Sequence, residues 1–265
     1  MLRQRILTAL VLIPLALLGL FGLTGGAFAS FTGAIVLLAA WEWANLSGFE
    51  RFGPRLAYVL ILVIAMLVGW HTQLVMATWP LWIALLGWLV SLYWIATYPE
   101  SVKQWSRPSL RLLAGLWVLL PCWVGFVQLR ASGAEWLLYV LLMVWLADIG
   151  AYFAGRRFGR RKLAPRVSPG KSWEGVYGGM VATALLAIGF AVALELSLGR
   201  GLGLMVTTLV VTLASVLGDL LESMFKRLRG IKDSGGLLPG HGGVLDRIDS
   251  LTAAVPLFAL FRLWG

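Results

Sequence analysis

Ser215-Val-Leu-Gly218-Asp219-Leu-Leu-Glu222-Ser223-Met-Phe-Lys226-Arg227 runs on through Lys232-Asp233-Ser-Gly-Gly-Leu-Leu-Pro239-Gly240-His241-Gly242-Gly243 to Asp246-Arg247-Ile248-Asp249. The stretch is a polar island between two apolar runs, Leu202–Leu221 and Ser250–Trp264. Inside it stand four Asp, one Glu, one His and five basic residues. Apolar runs on both sides of such an island read as membrane-crossing helices joined by a charged loop. Ionisable groups held that close to a membrane are costly and point to a function.

Working outward, the rest of the chain is of the same kind. It is 60% hydrophobic and 13% charged, which excludes an ordinary soluble domain. Nine apolar runs of roughly 20 residues can be drawn. They are Ile6–Leu23, Ala27–Leu46, Leu56–His71, Trp79–Thr97, Leu110–Leu129, Trp136–Ala154, Trp173–Leu194, Leu202–Leu221 and Ser250–Trp264. Open strands are excluded in lipid, because unpaired backbone groups cannot face hydrocarbon. The expected fold is therefore all-α, a polytopic integral membrane protein of about nine transmembrane helices forming one membrane domain over 1–265. Residues 1–130 are expected to be mainly structural, and 136–265 to carry the catalytic spans and loops.

The loops alternate in charge. One side receives 19 of the 22 Lys and Arg, and the other only Arg130, Arg200 and Arg262. The positive-inside rule then puts the N-terminus in the cytoplasm and the C-terminus outside. The expected location is the inner, cytoplasmic membrane, with the charged loops facing the cytoplasm. Arg3 and Arg5 before an apolar run, with Ala27-Phe28-Ala29 downstream, suggest a signal peptide. The run is longer than a typical signal core, so a retained signal-anchor is the expectation. The net charge of +10 fits basic loops against an anionic membrane face and does not call for nucleic acid. A lone Cys122 excludes a disulfide framework and a cysteine metal cluster. The sequence is compatible with a homodimer and does not fix the oligomeric state.

Within the polar island, Asp219 and Glu222 are i, i+3 on a helix, so their carboxylates share a face. Ser223 and Lys226 follow near that face, and Asp246 and Asp249 repeat the spacing at the next helix start. The Gly- and Pro-rich Ser234–Gly243 between them reads as a tight loop whose backbone N–H groups can approach a ligand. Carboxylate pairs, a glycine loop and basic side chains suggest a magnesium–phosphate site, because magnesium takes one or two carboxylates plus substrate phosphate. The alternative is a solvated loop that only fixes topology. Topology needs Lys and Arg, however, and not so many carboxylates. Glu42, between Trp41 and Trp43, has two readings: a polar contact at the site, or an interfacial carboxylate in an aromatic belt. The second is the expectation.

A second charged segment lies upstream. Asp148 falls late in an apolar run with Tyr152 one turn on. A basic cluster follows from Arg156 to Lys162, then Ser168-Pro169-Gly170-Lys171-Ser172-Trp173-Glu174-Gly175. Lysine and hydroxyls just before a helix occupy a good phosphate position at its positive end. Gly175, Gly178 and Gly179 would let the following helix pack closely.

These two segments resemble the phosphatidate cytidylyltransferases (CDP-diacylglycerol synthases). Ser223, Lys226-Arg227, Lys232-Asp233, Pro239, His241-Gly242-Gly243 and Asp246-Arg247-Ile248-Asp249 match the family's signature without departure. Asp148, Ala151-Tyr152, Gly155 and Ser168 to Gly175 match its upstream pattern. The resemblance implies that CTP and phosphatidate are joined to give CDP-diacylglycerol and pyrophosphate, phosphatidate keeping its tails in the bilayer. The nucleophile is already an anion. Positioning and charge neutralisation, by one or two Mg2+ ions and basic side chains, should therefore carry catalysis. Asp219 and Asp246 are the first candidates for metal ligands, followed by Glu222, Asp249 and Asp148. Lys171, Lys226 and Arg227 are candidates to hold phosphates. Ser168, Ser172, Ser223, Lys232, His241, Gly242, Gly243 and Arg247 are candidates to bind substrate, with His241 alternatively a loop cap. A transporter is the competing class, but transport sites lie near the midplane in broken helices, and here the charges gather at one face. A related transferase acting on another lipid is the third reading.

Overall fold

The computed structural model describes Leu10 and residues 14–262. Arg3, Arg5, the start of the first expected span and the Trp264 end of the last lie outside the described residues. Eight long helices follow a short π-helical turn at Leu18–Gly22. They are α1 (Gly25–Leu46), α2 (Phe52–His71), α3 (Trp79–Ala96), α4 (Pro108–Ser132), α5 (Ala134–Phe158), α6 (Trp173–Ala193), α7 (Leu198–Arg229) and α8 (Leu245–Arg262). Among the described residues, seven helices, α1 to α7, are long and apolar enough to cross a membrane. The architecture is an all-α polytopic bundle. Leu60, Ile61, Ile64 and Leu67 of α2 and Leu86 and Leu89 of α3 face outward. That much exposed apolar surface suits lipid and not water.

α8 falls outside those seven, because Asp246, Arg247 and Asp249 occupy its first two turns and Arg262 its end. It is also the most enclosed helix. Every residue from Ser250 to Leu260 is buried, against α2 with three buried residues in twenty. α8 is the post around which α1, α3, α4, α5 and α7 pack. At Gly218 of α7 the backbones touch: a Cβ there would lie 2.4 Å from the Asp249 carbonyl oxygen. That approach sets Asp219 of α7 beside Asp249 of α8.

α5 and α6 pack through small residues. A Cβ at Gly178 would lie 2.3 Å from Ala154, and one at Gly179 would lie 2.9 Å from the Ala147 carbonyl. Backbones this close are a common membrane helix contact. The expected role of these glycines therefore holds.

α7 has 32 residues, so it is about 48 Å long and exceeds the hydrocarbon thickness. Its last third carries Asp219, Glu222, Lys226 and Arg227, while Leu220, Leu221, Met224 and Phe225 on the same turns stay in the core. The segment before α6 departs from a purely helical reading. It forms an antiparallel hairpin, β1 (Lys162–Ala164) and β2 (Ser168–Ser172), pairing Lys162 with Ser172 and Ala164 with Ser168. Arg160, Arg161 and Lys162 are exposed, so the hairpin does not meet the backbone constraint that excludes open strands from lipid.

Candidate active site

The hairpin places the upstream segment against α7. Ser172 caps α6 by accepting a hydrogen bond from the Gly175 N–H at 3.2 Å. Glu174, in the first turn, accepts from the Arg160 and Arg161 N–H groups at 3.1 and 3.2 Å. Arg227 of α7 donates from Nε to the Val167 carbonyl at 3.0 Å and ties the hairpin tip down. Lys171, held between these anchors, reaches Asp219 with Nζ 2.6 Å from Oδ2. The other oxygen, Oδ1, accepts from the Ser223 hydroxyl at 3.1 Å.

This pair stands at a cavity of about 380 Å³ between α5, α6 and α7. Its polar part is lined by Asp148, Tyr152, Arg156, Lys171, Ser172 and Asp219. Its apolar part is lined by Val176, Gly179 and Val216. The cavity therefore combines charge of both signs with an apolar wall. The two segments that the sequence singles out, some 40 residues apart, face each other across it.

A second cluster lies beside the first. Lys226 Nζ sits 2.7 Å from Asp246 Oδ1 and 3.2 Å from Glu222 Oε2. Asp246 also accepts from the Ser234 N–H at 3.0 Å and the Gly243 N–H at 2.7 Å, both through Oδ2. Asp246 thus clasps both ends of the glycine loop. Burial pushes its carboxyl up, but the Lys226 ammonium and the Gly243 and Ser234 N–H groups outweigh that and hold it below the usual carboxylate value. Asp249 Oδ1 accepts from the Ser250 N–H at 2.7 Å, and its charge is felt at Glu222.

The loop's own geometry explains its composition. Gly240 and Gly242 have φ of +75° and +84°, where side chains are strained. A Cβ at Gly243 would lie 2.3 Å from the Ser234 hydroxyl and 2.5 Å from Glu42 Oε2. Arg247 donates twice to the His241 carbonyl, at 3.1 and 2.6 Å. His241 Nδ1 is buried and has no hydrogen bond among the described residues. Lys232 is exposed, while Ser168 is half-buried in β2.

Of the sequence candidates, Asp148, Lys171, Ser172 and Asp219 line one cavity. Lys226, Glu222 and Asp246 form the neighbouring cluster, and Arg227, Ser223 and Arg247 support loops or acids. Among the described residues no three His, Cys, Asp or Glu side chains converge on a point that could hold a metal. Glu42 is the residue that the sequence reading places elsewhere. It does not face outward in an aromatic belt: it is 1% exposed and accepts from the Leu245 N–H at 2.8 Å and the Ser234 hydroxyl at 3.3 Å. Its flanking Trp residues suggested a belt. Trp43, however, is itself buried, with its indole N–H on the Arg111 carbonyl at 2.8 Å.

The chain matches the Cytidylyltransferase family over residues 3–264. It is 52% identical to a phosphatidate cytidylyltransferase of Pseudomonas aeruginosa, over 100% of this chain and 98% of the relative. It is 42% identical to one of Haemophilus influenzae, over 98% of each chain. It is 34% identical to one of Staphylococcus epidermidis, over 97% of this chain and 96% of the relative.

Proposed function

The chain belongs to the cytidylyltransferase family, and on that premise we propose that it transfers the cytidylyl group of CTP to phosphatidate, giving CDP-diacylglycerol and pyrophosphate. The observation that carries the reading is the α5–α6–α7 cavity. It sets the Lys171–Asp219 pair beside an apolar wall of Val176, Gly179 and Val216, fit for the glycerol-proximal part of an acyl chain.

In the reaction a phosphate oxygen of phosphatidate forms a bond to the α-phosphorus of CTP. The bond from that phosphorus to the bridging oxygen of the β-phosphate breaks, and pyrophosphate leaves with the electron pair. The nucleophile needs no strong base, since a phosphate monoester is already anionic at neutral pH. The chain's own part is to bring two anions together. Lys171 and Arg156 at the cavity supply positive charge to phosphates, and Ser172 at the α6 start aims the helix's positive end the same way. Lys226, fixed by Glu222 and Asp246, presents a second ammonium beside the glycine loop.

The residues fit Mg2+ in the way this ion is bound with nucleotides, by one or two carboxylates with phosphate and water completing the shell. Asp219, with Asp148 on the same cavity, would hold it. The Asp219 oxygens contact Lys171 and Ser223, and both Asp246 oxygens contact Lys226 and the loop. When bound, the ion neutralises triphosphate charge and polarises the α-phosphate.

The site faces the cytoplasm in this reading, with nine spans, the N-terminus inside and the C-terminus outside. Ion pairs Arg229–Glu50 at 2.7 Å and Arg166–Glu100 at 3.4 Å support it, because they join loops that the charge pattern puts on one side. Purified protein in detergent, given Mg2+, phosphatidate and CTP labelled on the α-phosphate, yields labelled lipid. CTP labelled on the γ-phosphate yields labelled pyrophosphate and unlabelled lipid. Label in the lipid from the γ-position, or none from either, overturns the reading.

A further inference from the structure

We propose that Glu42 is a positioning residue for the transfer reaction: from the end of α1 it fixes the Ser234–Leu245 loop, and with it Asp246 and Lys226. The inference rests on the functional reading above. It also assigns part of the site to the first half of the chain.

The end of α1 is immobilised from three other helices. Arg55 of α2 donates to the Trp41 carbonyl at 3.1 and 3.0 Å. Arg111 of α4 donates to the Leu46 carbonyl at 2.8 Å, and Arg229 of α7 to the Asn45 carbonyl at 3.1 Å. Arg111 answers the Leu46 carbonyl, an acceptor left unpaired at the helix end, and the three guanidinium groups together answer the negative end of the helix dipole. Trp43 adds a contact to α7, its ring 5.2 Å from that of Phe225, the residue before Lys226. The helix end is therefore a fixed post, and it is joined to the same helix that carries Asp219, Glu222 and Lys226.

Glu42 projects from this post into the loop. Its Oε2 accepts the Leu245 N–H, an otherwise unpaired donor at the start of α8, and the Ser234 hydroxyl. Its Oε1 is buried without a hydrogen bond among the described residues. A Cβ at Gly235 would lie 2.2 Å from that oxygen, and Gly243 closes the other side. The loop backbone is thus pressed onto the carboxylate from two glycines, one at each end. Asp246, the residue after the anchored Leu245, accepts from the N–H groups of the same Ser234 and Gly243. The two carboxylates close the loop from opposite sides. Only Asp246 has a cation within reach of an ion pair among the described residues.

Glu42→Ala removes the upper anchor, and Glu42→Gln keeps an acceptor of the same size for the Leu245 N–H. The test measures steady-state turnover, amide hydrogen exchange and thermal unfolding for both variants in detergent. Glu42→Ala lowers kcat by about 100-fold, the scale expected when reacting groups shift by an ångström. Exchange accelerates in residues 234–245, while α5 and α6 keep their protection. Glu42→Gln restores kcat to within about tenfold of the native value, with partial loop protection. Near-native kcat in Glu42→Ala, or loss of protection spread evenly over all helices, overturns the proposal. Absence of transfer by the unaltered protein is a failure of the functional reading, recognised before any variant is made. Loop exchange then still upholds or overturns the Glu42 anchor.

Discussion

Asp219→Asn leaves the protein folded and lowers turnover by about 1,000-fold, the scale seen when one fixed electrostatic partner of a reacting group is removed. Asparagine keeps the shape and the acceptor for Ser223, so packing is preserved. What it removes is the charge 2.6 Å from Lys171 and the carboxylate that would hold the metal at the cavity. The Asp219 side chain is 31% exposed, so the loss of its charge disturbs little of the core. Turnover measured over a range of Mg2+ concentrations, with gel filtration as the folding check, reads the effect. Asp233, exposed in the loop, is the comparison, and its Asn variant stays within about twofold of the native rate. Near-native turnover of Asp219→Asn at saturating Mg2+ would remove this residue from the site.

Asp246→Asn acts differently, although the two aspartates look alike in sequence. Asp246 is 7% exposed and is the ion-pair partner shared by Lys226 with Glu222. Breaking a buried pair from one side costs up to roughly 3–5 kcal/mol, less here because Lys226 keeps Glu222 at 3.2 Å. The expected result is a loss of turnover of about 100-fold or more together with a clear drop in thermal stability, whereas Asp219→Asn affects turnover alone. The pH dependence follows from the same contacts. The Asp246 carboxyl is held below its usual value, so its contribution is complete above the ordinary carboxylate pKa of about 4. That contribution is lost as pH falls through the lower, folded-state value. The melting temperature of the native protein should therefore carry the Asp246 contribution unchanged between about pH 6 and 8 and lose it only in acid. A stability difference between native protein and Asp246→Asn that vanishes already near neutral pH contradicts the clasp.

The helices were legible because each apolar run is long and bounded by charge or glycine. Trp79 begins a helix where its run begins, and His71 and Leu46 end helices where their runs end. The runs say less about depth. Ser250–Leu260 looks like any other span, yet it is the buried post of the bundle, since an all-apolar helix reads the same against lipid or protein. The hairpin was not legible: its pairing of Lys162 with Ser172 spans Pro165, Pro169 and Gly170 and shows no strand alternation. The charged residues announced a site, but not their division of labour. Arg227 proves to hold a carbonyl of the hairpin, and Asp246 a loop. Nothing local marks Glu42, because its partners Ser234 and Leu245 lie about 200 residues away and act through a hydroxyl and a backbone N–H.

In the proposed reaction the two substrates meet in the α5–α6–α7 cavity. A rival place for lipid is an apolar groove of about 410 Å³ between α2, α3 and α4, lined by Ala65, Trp79, Ile83, Leu116 and Val124. Phosphatidate carrying a photoreactive group near its glycerol, crosslinked to the protein and mapped by peptide mass spectrometry, separates the two. Crosslinks are expected at Tyr152, Val176 or Val216, competed away by phosphatidate without the photoreactive group and diminished in Lys171→Ala. Crosslinks confined to the α2–α3–α4 groove, and unaffected by Lys171→Ala, would contradict it.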